Sequence, residues 1–140
     1  MIKSFGLTFV ILVILLLVLD VVWLGSTIDK LYKPNMPGLI SDKPNMIAGG
    51  AFYVLYAFGL ACLIVYPSLF GGRRADFVGL AWKAALFGLV CFATYDLTGL
   101  SVIRNWSLKL SLIDMAWGTF AATTASLGTG FALKLLGQLK

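Results

Sequence analysis

Residues 5–26 read FGLTFVILVILLLVLDVVWLGS, an apolar run broken by one carboxylate, Asp20. A run of about 20 apolar residues is the length a helix needs to cross the hydrocarbon core of a bilayer. Lipid offers backbone N–H and C=O groups no hydrogen-bond partner, so only helices and closed barrels cross it. A barrel strand would alternate in hydropathy over about 10 residues, and this run is continuous. Lys3 precedes it as in a signal peptide, but the run is too long for one and no small-x-small cleavage site follows. It is expected to be a retained helix.

Three more such runs follow, at about 46–66, 77–100 and 108–136, with a polar loop over 27–45. The second is expected to be capped by Asn45 and to stop at Pro67. Composition agrees: 60% of the 140 residues are hydrophobic, 12% are charged, and the mean hydropathy is +0.95. A soluble domain carries roughly 25% charged residues. The expected fold class is an all-α integral membrane protein, a single four-transmembrane-helix bundle.

The excess of basic over acidic residues, 11 against 6, sets topology rather than nucleic-acid affinity. In an up-down bundle the side holding the termini collects Lys3, Arg73, Arg74, Lys83, Lys134 and Lys140. The other side collects Lys30, Lys33, Lys43, Arg104 and Lys109. A margin of six to five places both termini in the cytoplasm and leaves dual insertion open. Cys62 and Cys91 both lie in apolar runs and read as small buried hydrophobes, not a disulfide. The absence of histidine removes histidine-ligated metals and histidine bases.

Three of the six acidic residues, Asp20, Asp96 and Asp114, fall inside apolar runs. An aspartate at a helix centre costs about 2.5–3.5 kcal/mol on insertion scales. Antiparallel topology puts all three near one mouth, about 6–9 Å inside the interface at 1.5 Å per residue. Asp20 and Trp23, and Asp114 and Trp117, repeat the pattern Asp-x-x-Trp, which puts both side chains on one helix face. Tyr95 adjoins Asp96. An interfacial aromatic belt accounts for single tryptophans; the shared pattern points to a lined pocket of Asp20, Trp23, Tyr95, Asp96, Asp114 and Trp117. Tyr53 and Tyr56 are accessory candidates from the second helix. Arg104 and Lys109, near the same mouth, are candidates to neutralise part of the cluster. Three such carboxylates cannot all carry charge unrelieved, so a proton, a basic side chain or a bound cation must compensate.

In the fourth helix Gly118, Ala122, Ser126 and Gly130 recur every four residues. Such a seam lets a second helix approach closely, and Asp114 lies on the same stripe. Thr119 and Thr123 flank the seam and are expected to offer hydrogen bonds there.

The chain resembles a widespread family of uncharacterised small bacterial inner-membrane proteins with four helices. The resemblance rests on Leu19–Gly25, Asp42–Asn45, Phe52–Ala57, Ala93–Thr98 and Asp114–Gly118, and it covers nearly the whole chain. It implies a bacterial inner-membrane location and brings no activity, substrate or cofactor. Members of that family usually carry Asn where this chain has Gly99, which would lower the polarity of the pocket here.

The first functional expectation is a site that binds or transports a small cation, a proton or a lipid-like ligand. The second is a membrane-embedded enzyme acting on a lipid or isoprenoid. A third is an accessory subunit that packs into a larger complex or a homo-oligomer, and a purely structural polar clamp would also account for the cluster. Oxygen ligands suit magnesium, but the spacing establishes no metal set, and none is assigned. No cofactor is named. The bilayer is the one partner the composition itself requires; no nucleic acid is expected.

Overall fold

The computed structural model describes residues 2–139 and is an all-α membrane bundle of four helices. They are α1, Ile2–Asn35; α2, Met46–Phe70; α3, Phe77–Val102; and α4, Leu108–Leu135. Each of the first three is long and apolar enough to cross a membrane. The fourth, 28 residues, would reach about 42 Å at 1.5 Å per residue, but small and hydroxylated residues on its buried face make it less apolar.

Aromatic contacts fix the up-down course. Phe5 at the start of α1 meets Tyr66 near the end of α2, with ring centroids 5.5 Å apart. Phe77 at the start of α3 stacks on Phe131 near the end of α4 at 5.1 Å. Tyr56 of α2 meets Phe87 of α3. The most extensive contact is α3 with α4, followed by α4 with α1, so the fourth helix closes a ring.

The seam on α4 explains that intimacy. Gly118, Ala122, Ser126 and Gly130 are all buried. A Cβ on Gly88 of α3 would collide with the Gly118 carbonyl oxygen and lie 2.7 Å from the Ala122 Cβ. One on Gly118 would enter the Phe92 ring. The backbones therefore touch where either helix carrying larger residues would be held apart. Thr119 and Thr123 do not donate across the seam: their hydroxyls return to the carbonyls of Met115 and Thr119 on their own helix. A hydroxyl in a helix can satisfy itself this way in place of a partner on the neighbouring helix.

Two helices run further than the sequence suggests, for one physical reason. α1 passes through a π-helical turn at Ile28–Tyr32 and continues to Asn35, so the polar connection shrinks to residues 36–45. α2 passes through a π-helical turn at Ala61–Val65 and carries Pro67 inside its last segment. Proline removes one N–H and its ring crowds the carbonyl four residues back. A widened turn just before it relieves that crowding, so Pro67 does not end the helix.

The remaining ends follow ordinary capping. Asn45 accepts from the N–H groups of Ile47 and Ala48 at 3.1 Å each. Asp76 caps α3 through Gly79 N–H at 2.7 Å, and Ser107 caps α4 through Leu110 N–H at 3.1 Å. Such caps satisfy N–H groups that a helix start leaves without partners. The cysteines are free; Cys62 faces outward and Cys91 is half-buried.

Candidate functional site

At the mouth formed by the α1–α2 and α3–α4 connections, the two Asp-x-x-Trp segments face each other. The indoles of Trp23 and Trp117 stack with centroids 4.4 Å apart and planes within 5°. Their N–H groups then cross over. Trp117 Nε1 donates to Asp20 Oδ1 at 2.9 Å. Trp23 Nε1 donates to the Tyr32 hydroxyl at 2.8 Å, and that hydroxyl donates to Asp114 Oδ1 at 2.5 Å. Each aspartate is thus served by the tryptophan of the other helix, once directly and once through a tyrosine. The i,i+3 spacing is what makes the exchange possible, because it puts donor and acceptor on one face.

Reading the sequence missed Tyr32, along with the wall residues Leu24, Phe52 and Phe92. Tyr32 lies between Lys30 and Lys33 and reads as part of a polar loop. The π-helical turn at Ile28–Tyr32 carries it back under the indole of Trp23. A tyrosine flanked by lysines at the end of an apolar run was the available signal, since its ring prefers an apolar bed and its hydroxyl a partner.

Behind Asp114 lies Asp96, which is 2% exposed; Asp114 itself is 8% exposed. Asp96 sits within interaction range of Asp114, with Ser111 and Trp106 beside it. Its Oδ2 has no hydrogen-bond partner. Trp106 donates to Ser111 at 3.0 Å and meets Tyr95 edge to face at 5.3 Å. A Cβ on Gly99 would run into the Trp106 indole. Gly99 therefore makes room for that indole and does not line the pocket; its lack of a polar side chain is a packing feature.

In front of Asp114 and Asp20 opens a cavity of about 410 Å³. Trp23, Trp117, Tyr32 and Tyr95 contribute aromatic walls, with Leu24, Phe52, Tyr53 and Phe92 completing them. Tyr53 interacts with Asp20. Tyr95 is 61% exposed and forms a rim. Tyr56 is not brought to the carboxylates by a hydrogen bond: its hydroxyl is buried without a partner, and its ring packs among those of Phe52, Phe87 and Phe92.

Arg104 and Lys109 are exposed. The ion pairs formed among the described residues join Lys33 to Asp29 and to Asp42, so neither Arg104 nor Lys109 pairs with the pocket. Asp96 and Asp114 are neighbours, and Asp20, held across the stack by Trp117, shares the cavity with Asp114 and lies within reach of its charge. Among the described residues no three Asp, Glu, Cys or His side chains gather closely enough to hold a metal ion.

Chemically, the arrangement is an acidic, aromatic pocket with no basic side chain among the described residues that line it. Both front carboxylates accept from aromatic donors, Asp20 from Trp117 with Tyr53 beside it and Asp114 from Tyr32, and a carboxylate has further lone pairs to offer.

The family model described as "Predicted membrane protein (DUF2177)" matches residues 5–131. Comparison with curated proteins and with solved structures gives no match.

Proposed function

The chain belongs to the DUF2177 family of predicted membrane proteins, and from that premise we propose that its acidic, aromatic cavity binds a small organic cation. The ligand carries an ammonium group on a largely apolar body. The observation that supports this reading is the cavity of about 410 Å³ with Asp20 and Asp114 in an otherwise aromatic and aliphatic wall. Its volume falls among small-molecule sites, which span roughly 300–1,000 Å³. Carboxylates supply attraction, and aromatic faces favour cations over neutral groups. Burying a carboxylate without an opposite charge is costly even when it is hydrogen-bonded, and the ion pairs among the described residues provide no such charge here. A cationic ligand supplies the missing charge.

The test uses the protein in a non-ionic detergent with two probes of one shape, benzyltrimethylammonium and its neutral carbon isostere neopentylbenzene. Trp23 and Trp117 report occupancy through their fluorescence. Saturable quenching by the cation, absent with the isostere and lost in Asp114→Asn, is expected. Equal responses to both probes would reduce the cavity to a greasy cleft.

A second reading, an enzyme acting on a lipid or isoprenoid, draws on the neighbouring pair Asp96 and Asp114 and the unpartnered Asp96 Oδ2. Two carboxyl groups in unlike environments can divide acid and base roles. It requires that Asp96→Asn stop turnover of a membrane lipid extract while cation quenching persists. No turnover by the native protein removes it.

The proposed setting is a bacterial inner membrane, crossed four times, with both termini cytoplasmic. The six-to-five distribution of basic residues supports it. Reporter fusions at the two termini should report one compartment, the cytoplasm.

A further inference from the structure

The opposite end of the bundle holds a second cavity, of about 250 Å³, built on the turn between α2 and α3. Arg73, Arg74 and Gln138 form its polar side, and Leu69 and Phe70 its apolar side. Nothing in the aspartate mouth accounts for it.

Both walls are fixed by local backbone. Gly71 N–H donates to the Pro67 carbonyl at 2.9 Å, and Asp76 N–H to the Ser68 carbonyl at 2.9 Å. A Cβ on Gly71 would strike the Pro67 oxygen, so the tight turn requires glycine. Across the cavity, α4 ends with Gly137 at φ +68°. Gln138 N–H returns to the Leu133 carbonyl at 2.9 Å and Gly137 N–H to that of Lys134 at 3.0 Å. This paired closure is the Schellman arrangement, and it delivers Gln138 to the cavity.

The charges are unbalanced. Asp76, the acid nearest in sequence to the arginines, is committed to capping α3 at Gly79. The ion pairs among the described residues all involve Lys33, not Arg73 or Arg74. Two guanidinium groups thus flank a preformed hollow with no anion supplied by the ion pairs among the described residues. Guanidinium is the side chain whose planar fork fits phosphate oxygens best. The apolar shoulder of Leu69 and Phe70 continues into the part of the bundle read as membrane-embedded.

We propose that this cavity binds a phosphate group through Arg73 and Arg74, with Gln138 as a further donor and Leu69 and Phe70 seating whatever apolar chain the phosphate carries. An anionic phospholipid headgroup and a free phosphate share that chemistry. Basic residues at a membrane surface gain roughly 1 kcal/mol each from anionic lipid, so the double loss Arg73→Gln with Arg74→Gln should weaken binding by about tenfold or more.

Native mass spectrometry of the whole protein, with phosphatidylglycerol added at graded concentration, reads that loss. Lys134→Gln removes one charge at the same end and should change retention little. Arg73→Lys with Arg74→Lys keeps charge without the fork and should fall between. Helical circular dichroism of each variant separates loss of the site from loss of the fold. Displacement of bound phosphatidylglycerol by millimolar inorganic phosphate sustains the phosphate site and assigns a water-soluble ligand; resistance to it sustains the site and assigns lipid. Retention unchanged in the folded double glutamine variant, or equally reduced in Lys134→Gln, overturns the proposal.

Discussion

The two ends of this bundle share one backbone architecture and differ in how their polar groups are held. At the aspartate end, hydrogen bonds join residues 97 and 82 positions apart, Trp117 to Asp20 and Tyr32 to Asp114. At the arginine end the shape comes from turns that close within five residues, at Pro67–Gly71 and Leu133–Gln138. The first site therefore exists only when α1 and α4 are docked. In the second each wall carries its own closure, so docking of α4 sets the distance between the walls but not the shape of either. A site built between helices is sensitive to helix position, and one built within turns is sensitive to turn residues.

The contrast breaks most severely at the seam that both ends depend on. Ala122 is fully buried against Gly88. An isobutyl group there has no room, and overpacking a close-packed contact costs about 1–3 kcal/mol or more. Ala122→Leu should lower the thermal midpoint by several degrees in detergent and abolish cation quenching. Leu112→Ala, at an outward-facing position of the same helix, should do neither. An unchanged midpoint in Ala122→Leu would mean that α4 does not pack on α3 through this seam.

Separability of the ends is the next test. Asp114→Asn removes a charge that the proposed cation meets directly, and should weaken benzyltrimethylammonium binding by about tenfold or more, the effect of a lost charge-assisted contact. Phosphatidylglycerol retention should stay as in the parent. The double arginine-to-glutamine variant should show the reverse. If either change weakened both ligands equally, the ends would be one coupled unit rather than two sites.

A smaller effect sharpens the role of the tyrosine bridge. Tyr32→Phe keeps the ring and deletes the hydroxyl that accepts from Trp23 and donates to Asp114. Both partners are then left without that bond, at a cost of about 1–3 kcal/mol for a buried group. The thermal midpoint should drop modestly, and tryptophan emission should change as the Trp23 N–H loses its acceptor. Unaltered emission would indicate that Trp23 does not depend on Tyr32.

Much of this was legible in the chain, for stated physical reasons. Apolar runs of membrane length gave four helices, and Asn45 gave a cap that the structure contains. The Asp-x-x-Trp repeat pointed to a shared pocket, and the small residues from Gly118 to Gly130 marked a face of α4 that another helix covers, though not that α3 is that helix. What stayed hidden depends on departures from 3.6-residue periodicity. The π-helical turn after Thr27 rotates Tyr32 under the pocket, and the one before Tyr66 carries α2 past Pro67. Neither leaves a pattern in hydropathy. Pairing was equally hidden: Arg104 and Lys109 lie near the right end, but sequence position does not say which way a side chain at a helix start points. Gly99 was read as a missing polar group, because only the fold reveals the Trp106 indole packed over it.

The smallest expected effect lies beside the aspartate pocket and isolates what makes its carboxylates different. Lys33 pairs with Asp29 at 2.9 Å and with Asp42 at 3.5 Å. Asp29 is one helical turn from Lys33, and Asp42 lies in the connection to α2, so the lysine ties the end of α1 to the following loop. On geometry alone this looks like a latch over the mouth. Its exposure argues otherwise. The side chains of Asp29 and Asp42 are 74% and 91% exposed, so water solvates them whether or not the pair forms. Screening by salt weakens such pairs further, and surface ion pairs contribute little to stability. The loop has a better anchor in Met36, which is 4% exposed. Lys33→Gln should therefore leave the thermal midpoint and cation quenching unchanged within error, at low and at high salt. A loss of quenching that appears only at low salt would show that the lysine latch holds the mouth in shape, and that the aspartate end, like the arginine end, relies on a local closure.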